Sequence, residues 1–215
     1  MYIKELWRYP VKSMAGESLQ SATVTALGVE GDRIIQVRNA RGNSVTARTH
    51  PLLLGFKAAL DRNGDPLVDG IPWDDPQVLL AVRKAAGPQA YLVRDESPHR
   101  FDMLPLLVAT DGAVAEFGRD RRRLRPNIVV GGVPGLEERE WEGGVMRIGG
   151  VVIGIQDLRA RCIMTTFDPD TLAHDPNVLR DIVRRFHGTL ALNCEILRGG
   201  DIRVNQEVLV VRAGR

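Results

Sequence analysis

Apolar and polar positions alternate in short runs along most of this chain, and glycine, proline, asparagine and aspartate punctuate the runs. Residues 2–7 read as a strand that stops at Pro10. Residues 19–26, LQSATVTA, alternate with period two and lead into the turn Gly28-Val29-Glu30-Gly31-Asp32. Residues 33–38, RIIQVR, form a β-branched run. The turn 39–43 closes it, and residues 44–47 return as its hairpin partner. Residues 52–60, LLLGFKAAL, fit a strand or a short helix equally, because so short an apolar run has no decisive period. DRNGDP at 61–66 is a turn before a strand at 67–71. Further strands are expected at 78–80, 91–93, 106–109, 127–130, 190–197 and 207–211. Residues 145–148 and 151–155 flank Gly149-Gly150 as a hairpin.

Helical spacing is scarcer. Thr110-Asp111 has the chemistry of a helix N-cap and leads into residues 112–117. Residues 177–186, NVLRDIVRRF, carry Val178, Leu179, Ile182, Val183 and Phe186 at the spacing of one helix face. Many short strands with one or two helices predict a mostly β, barrel-like α+β fold. A composition break over 87–98 divides it into a smaller N-terminal β unit, residues 1–95, and a larger barrel, residues 96–215.

Composition narrows the function. The 215 residues carry a formal net charge of +2 and are 44% hydrophobic, enough for a substantial core and too nearly neutral for a dedicated nucleic-acid binder. The basic run at 119–125, RDRRRLR, is too short to imply a nucleic-acid surface. No apolar stretch approaches the ~18 residues of a membrane helix. The first residues lack a signal-peptide pattern. A reducing cytoplasm is therefore the expected location, with no membrane partner. The two cysteines, Cys162 and Cys194, form no CxxC pair, which excludes a self-contained four-cysteine iron–sulfur cluster.

Candidate chemistry centres on RARCIMTTFDPDT, residues 159–171. Arg159 and Arg161 flank Cys162, and neighbouring cations favour a thiolate, the form that attacks electrophiles or binds metals. Three readings of Cys162 stand side by side: a buried structural thiol, a nucleophile and a soft-metal ligand. A nucleophile needs a general base, and none of His50, His99, His174 and His187 lies in a recognisable catalytic context. One thiolate cannot hold a bare ion alone, so a metal would arrive already ligated, within an anionic organic cofactor. Arg33, Arg48, Arg125, Arg159 and Arg161 sit at strand–turn junctions where guanidinium forks could converge on phosphate or carboxylate. Lys12 and Ser13 could add an ammonium and a hydroxyl, and the Thr110-Asp111 helix start could add N–H donors. Asp168 and Asp170 read either as turn residues or as groups that orient Arg161 or relay a proton.

YPVKS at 9–13, GDR at 31–33, TAR at 46–48, LRPNI at 124–128 and RCIMTTFDPDT at 161–171 together resemble the MOSC-domain proteins, named for the molybdenum cofactor sulfurase C-terminal domain. The N-terminal β-barrel domain associated with that family precedes it, as in the amidoxime-reducing components. The resemblance runs in order over most of the chain and is thinnest over 52–95. It implies a β-barrel fold that binds molybdenum cofactor, with Cys162 as the metal ligand. Lys12, Ser13 and Arg33 match cofactor-contacting positions in the N-terminal part, and Thr110, Arg125, Asn127 and Arg161 match those in the C-terminal part. Two positions depart from the family pattern. Ala160 stands where relatives often have Ser, and Asn193 stands roughly where they place an aromatic contact. Cys194 beside it reads as a small buried hydrophobe.

The resulting expectation is a molybdopterin-dependent oxidoreductase. It would reduce N-hydroxylated or N-oxide-type small molecules with electrons from a separate ferredoxin-like or flavin reductase partner. The alternative is a carrier of the cofactor, or of persulfide sulfur on Cys162. A pyridoxal phosphate protein is a weaker third reading, since none of Lys4, Lys12, Lys57 and Lys84 suggests a Schiff base.

Overall fold

The computed structural model describes residues 1–213. Its centre is an eight-stranded sheet with the strand order Leu209–Val211, Val145–Ile148, Val151–Ala160, Thr189–Arg198, Leu106–Thr110, Ile128–Gly131, Tyr2–Arg8 and Glu17–Leu19. All neighbours are antiparallel except Leu106–Thr110 with Ile128–Gly131. That parallel pair requires a crossover, and the helix Asp111–Phe117 supplies it. Three smaller three-stranded sheets complete the β structure. The mainly β architecture expected from the alternation is the one observed.

The first strand shows how local irregularity serves the core. Ile3 and Leu6 are both buried although three positions apart, a spacing that would put them on opposite faces of a regular strand. A register shift between Ile3 and Glu5 turns both inward. This strand hydrogen-bonds to Ile128–Gly131, and Ser21–Thr25 pairs with Gly200–Arg203. Ile3, Leu6, Val24 and Val29 accordingly share one core with Leu106, Ile128, Trp141, Ile153 and Leu192. A second core gathers Val11, Met14, Ile35, Leu53, Val78 and Val82 within the N-terminal half.

Residues 78–80 correct an expectation. They lie within an α-helix, α1, spanning Pro76–Ala86. Asp75 caps it by accepting from the Gln77 N–H, and Pro76 occupies the first turn, where its missing N–H costs nothing. Val78, Val82 and Ala86 are its buried stripe at a four-residue spacing. The run VLLAV hid that period because Leu79 and Leu80 interrupt it. Residues 52–60 divide between a 3-10 turn, Pro51–Gly55, and a strand, Ala58–Leu60.

The expected cap at Thr110 is present. Its hydroxyl accepts from the Ala113 N–H at the start of α2, Asp111–Phe117. Helix α3, Asn177–Phe186, buries Val178, Ile182 and Phe186 against Phe117, Leu124 and Leu190. Burial of such side chains is worth about 1.5–3 kcal/mol each. This packing holds α3 against the turn that carries Cys162.

A basic pocket with one free thiol

The long strand Val151–Ala160 delivers the candidate site. It ends at Ala160, opposite Thr189, and the Arg161 N–H is held by Gly188 O at 2.9 Å. Cys162 follows in an extended conformation. The chain then folds into the 3-10 turn Ile163–Thr166, closed by Thr165 N–H and hydroxyl bonds to Cys162 O at 3.0 and 2.8 Å. Those bonds fix the backbone of Cys162 and leave its half-buried thiol facing a pocket. Cys194, by contrast, is fully buried in the main core, and burial pushes its thiol pKa well up. That matches the small buried hydrophobe expected of it.

The pocket wall gathers Lys12, Ser13, Arg33, Arg48, Arg125, Asn127, Arg159, Arg161, Cys162 and Asn193, residues spread over the whole chain. It adds Arg123 and Asp102, which sequence reasoning did not single out. Arg123 lay inside the basic run at 119–125, and Asp102 follows the short apolar-basic stretch at the end of the 87–98 break. Asp102 is the pocket's one acidic lining residue. It pairs with Lys12 at 2.9 Å and Arg48 at 2.7 Å. Burial opposes its ionisation, but the Lys12 hydrogen bond and the charges of Lys12, Arg48 and Arg159 outweigh that and hold its carboxyl below the usual range.

Three arginines of the wall, Arg125, Arg159 and Arg161, have no carboxylate within ion-pair distance among the described residues. Arg125 lies over the Tyr9 ring, 4.3 Å from its centroid. Arg159 reaches only the Asn193 side-chain oxygen, at 3.3 Å. Arg161 donates one bond to Leu124 O, at 2.7 Å, and its buried Nε has no partner. Burial pulls the pKa of both Arg125 and Arg161 down to about 10. Buried cations without counter-charge are costly unless an anion completes them. A pocket wall of guanidinium groups without carboxylate partners fits an anionic group such as a phosphate.

The backbone is strained at the same place. Ser13, Arg33 and Arg125 all have positive φ, at 73°, 56° and 57°. Such conformations cost non-glycine residues of order 1 kcal/mol or more and persist where surrounding contacts enforce them. Beside Arg33 the organising hub is Asp32, which is fully buried. It accepts from the Tyr9 N–H at 2.7 Å and the Asn127 side-chain amide at 3.2 Å, and it ion-pairs with Arg33. Tyr9 is thereby seated between Arg33 and Arg125.

The remaining expected site residues have other duties. Asn127 borders the pocket, but its side chain accepts from the Leu107 N–H and donates to Trp7 O and Asp32. Thr110 and Asp111 do not reach the pocket. Thr110 caps α2 and donates to Glu138, while Asp111 accepts from the Gly132 and Val133 N–H groups. Asp168 and Asp170 also lie outside its wall. Asp168 accepts from the Asp170 and Thr171 N–H groups and pairs with Arg123 at 2.9 Å, and Asp170 pairs with Arg122 at 2.6 Å. Both are turn residues held in ion pairs, and neither contacts Arg161.

Among the described residues no three His, Cys, Asp or Glu side chains gather to hold a metal ion. No helix there is long and apolar enough to cross a membrane.

Comparison with known proteins fits this geometry. The family model described as MOSC N-terminal beta barrel domain matches residues 1–98, and that described as MOSC domain matches residues 111–209. The chain is 27% identical to the mitochondrial amidoxime-reducing component 1 of Homo sapiens over 229 aligned positions, covering 79% of this chain and 67% of that protein. The human mitochondrial amidoxime reducing component 2 is similar to the same extent. In fold, the chain resembles the crystal structure of the YUAD protein from Bacillus subtilis. The TM-score is 0.54 at 15% identity, covering 97% of this chain and 94% of that one.

Proposed function

The chain belongs to the MOSC-domain family, and on that premise we propose that it holds molybdenum cofactor in the basic pocket and reduces N-hydroxylated or N-oxide-type small molecules. The observation that carries this reading is the coincidence of one free thiol with three arginines that lack carboxylate partners. Cys162 would be a ligand for a soft metal that brings its other donors with it. Arg125, Arg159 and Arg161, with Lys12 and Arg33, would meet the phosphate and the other negative charge of the cofactor. The resemblance to amidoxime-reducing components supports the class of reaction.

The cofactor, when bound, supplies two-electron redox chemistry at molybdenum. This chain's residues do the rest. Cys162, its backbone pinned by Thr165, would ligate the metal. The Arg161 guanidinium, oriented by its bond to Leu124 O, would add positive charge beside the anion. Asp102 holds Lys12 and Arg48 in the pocket wall. Electrons would come from a separate reductase, as the resemblance to amidoxime-reducing components implies.

The test is molybdenum content and pterin fluorescence of protein produced in a cofactor-making host, beside Cys162→Ala. Near-stoichiometric molybdenum in the wild type, with loss or an altered spectrum in the variant, is the expected result. Reduction of an N-hydroxylated amidine with an artificial donor should then follow. A folded protein with neither molybdenum nor pterin would sink the reading. Stoichiometric cofactor without reductase activity would instead favour a carrier.

A further inference from the structure

A second surface adjoins the thiol without belonging to its pocket. An apolar groove runs between the turn after Cys162 and α3, walled by Ile163, His174, Pro176, Leu179 and Val183. Ile163 is 40% exposed and Val183 58% exposed. The core-facing stripe of α3 is Val178, Ile182 and Phe186, so the helix does not need Val183 for its own packing. Arginines border the groove. Arg180 and Arg184 line its edge, and Arg119 stands beside it across Asp181. Asp181 is shared between Arg184 at 3.1 Å and Arg119 at 3.6 Å. Arg180 has only the Asn177 amide oxygen, at 3.1 Å, and Asp175 is engaged by the Asn177 N–H. The rim is therefore net cationic around an apolar centre.

We propose that this groove is the docking site of a small acidic one-electron carrier protein, one with an iron–sulfur cluster or flavin beside an apolar patch ringed by carboxylates. An apolar centre with a charged rim is the anatomy of a transient protein interface, and the rim charges steer a partner of opposite sign. The groove's position supplies the reason for an electron carrier, since a partner seated there touches Ile163, the residue bonded directly to Cys162. The inference rests on the reductase reading above. Reduction of an N-hydroxyl group breaks its N–O bond, takes up two electrons and two protons and releases water. Each carrier is oxidised by one electron, so two encounters complete a turnover, and solvent supplies the protons.

The test is titration calorimetry of the metal-free chain against a plant-type ferredoxin and against a flavodoxin, both acidic, at low ionic strength. Saturable binding of at least one is expected, weakening steeply with salt. The double variant Arg180→Glu/Arg184→Glu should lose about tenfold or more in affinity, and Val183→Asp should lose a similar factor. Arg203→Glu, on a strand of a different sheet, should bind as the wild type does. Melting temperatures of all variants establish that they are folded. Absence of binding by both carriers, or groove variants that bind like the wild type, would overturn the proposal. So would a dimer in sedimentation that Val183→Asp dissolves, which would give the groove to a second copy of the chain. Because binding is read without metal, failure of the molybdenum reading leaves this result standing on its own, and failure to dock leaves the molybdenum reading intact.

Discussion

Tyr9 and Arg125 are locked together: the guanidinium lies 4.3 Å from the ring centroid, while the Tyr9 hydroxyl donates to Pro126 O at 3.1 Å, one residue beyond that arginine. One aromatic side chain thus holds both the charge and the backbone of a left-handed arginine in the pocket wall. Burial pushes the Tyr9 pKa up to about 12 against the opposing pull of Arg125 and Arg33, so the hydroxyl remains a donor at neutral pH. Tyr9→Phe keeps the ring face and loses the hydrogen bond, and it should cost about 1 kcal/mol in urea denaturation at pH 7. The pH dependence has a definite sign. A folded-state pKa raised above the ordinary 10.0 stabilises the fold below pH 10, and that contribution is lost as pH rises toward 12. The wild type's advantage over Tyr9→Phe should shrink across that window, by at most about 1.4 kcal/mol per pH unit.

Gly16 tests the same contact from behind. A Cβ there would lie 2.6 Å from the Tyr9 ring and would also clash with Arg8 O. Gly16→Ala should displace the ring from under Arg125. Cofactor retention is expected to fall more than thermal stability, measured as molybdenum per chain against melting temperature.

Arg161 lines the pocket without a carboxylate partner, so a simple anion can test its role. Inorganic pyrophosphate should raise the melting temperature of the metal-free wild type, and the shift should diminish with salt. Arg161→Met removes the buried charge while keeping apolar bulk. It should melt no lower than the wild type without ligand, and its pyrophosphate shift should be markedly smaller. An equal shift in both proteins would remove Arg161 from the anion site.

Arg100 ties the segment after the composition break to the N-terminal half. It is 3% exposed and donates to Asp32 O, Glu96 O, Ser97 O and Leu27 O, at 3.0, 2.6, 3.3 and 3.0 Å. Its own carbonyl accepts from Lys12. Arg100→Ala removes the partner of the Asp32 carbonyl and of three partly buried ones, and should cost about 2–3 kcal/mol by chemical denaturation.

Asp168 and Asp170 provide a contrast. Their oxygens are engaged by turn N–H groups and by Arg123 and Arg122. Asp170→Asn should leave turnover per bound molybdenum unchanged; a large fall would restore the proton-relay role that the sequence suggested.

Read by itself, the sequence determined the strand-rich class, the α2 cap at Thr110, the helix Asn177–Phe186 and the Gly149-Gly150 hairpin. These features rest on turn chemistry and on side-chain period within a dozen residues. It also singled out Cys162 and most of the basic residues around it, because a motif is local and a family pattern keeps its order. It could not reveal α1, whose buried stripe is masked by Leu79 and Leu80. Nor could it reveal that the first strand joins the sheet of the C-terminal half, since a strand's partner is chosen by long-range pairing. Only the tertiary structure distributed the charged residues between roles. Arg123 and Asp102 joined the pocket, while Thr110, Asp111, Asp168 and Asp170 went to caps and turns. The physical reason is that a charged side chain's role depends on which partners surround it in space. Asp168 stood out in sequence and Asp102 did not; in space one meets turn amides and Arg123, and the other meets Lys12 and Arg48 in the pocket wall.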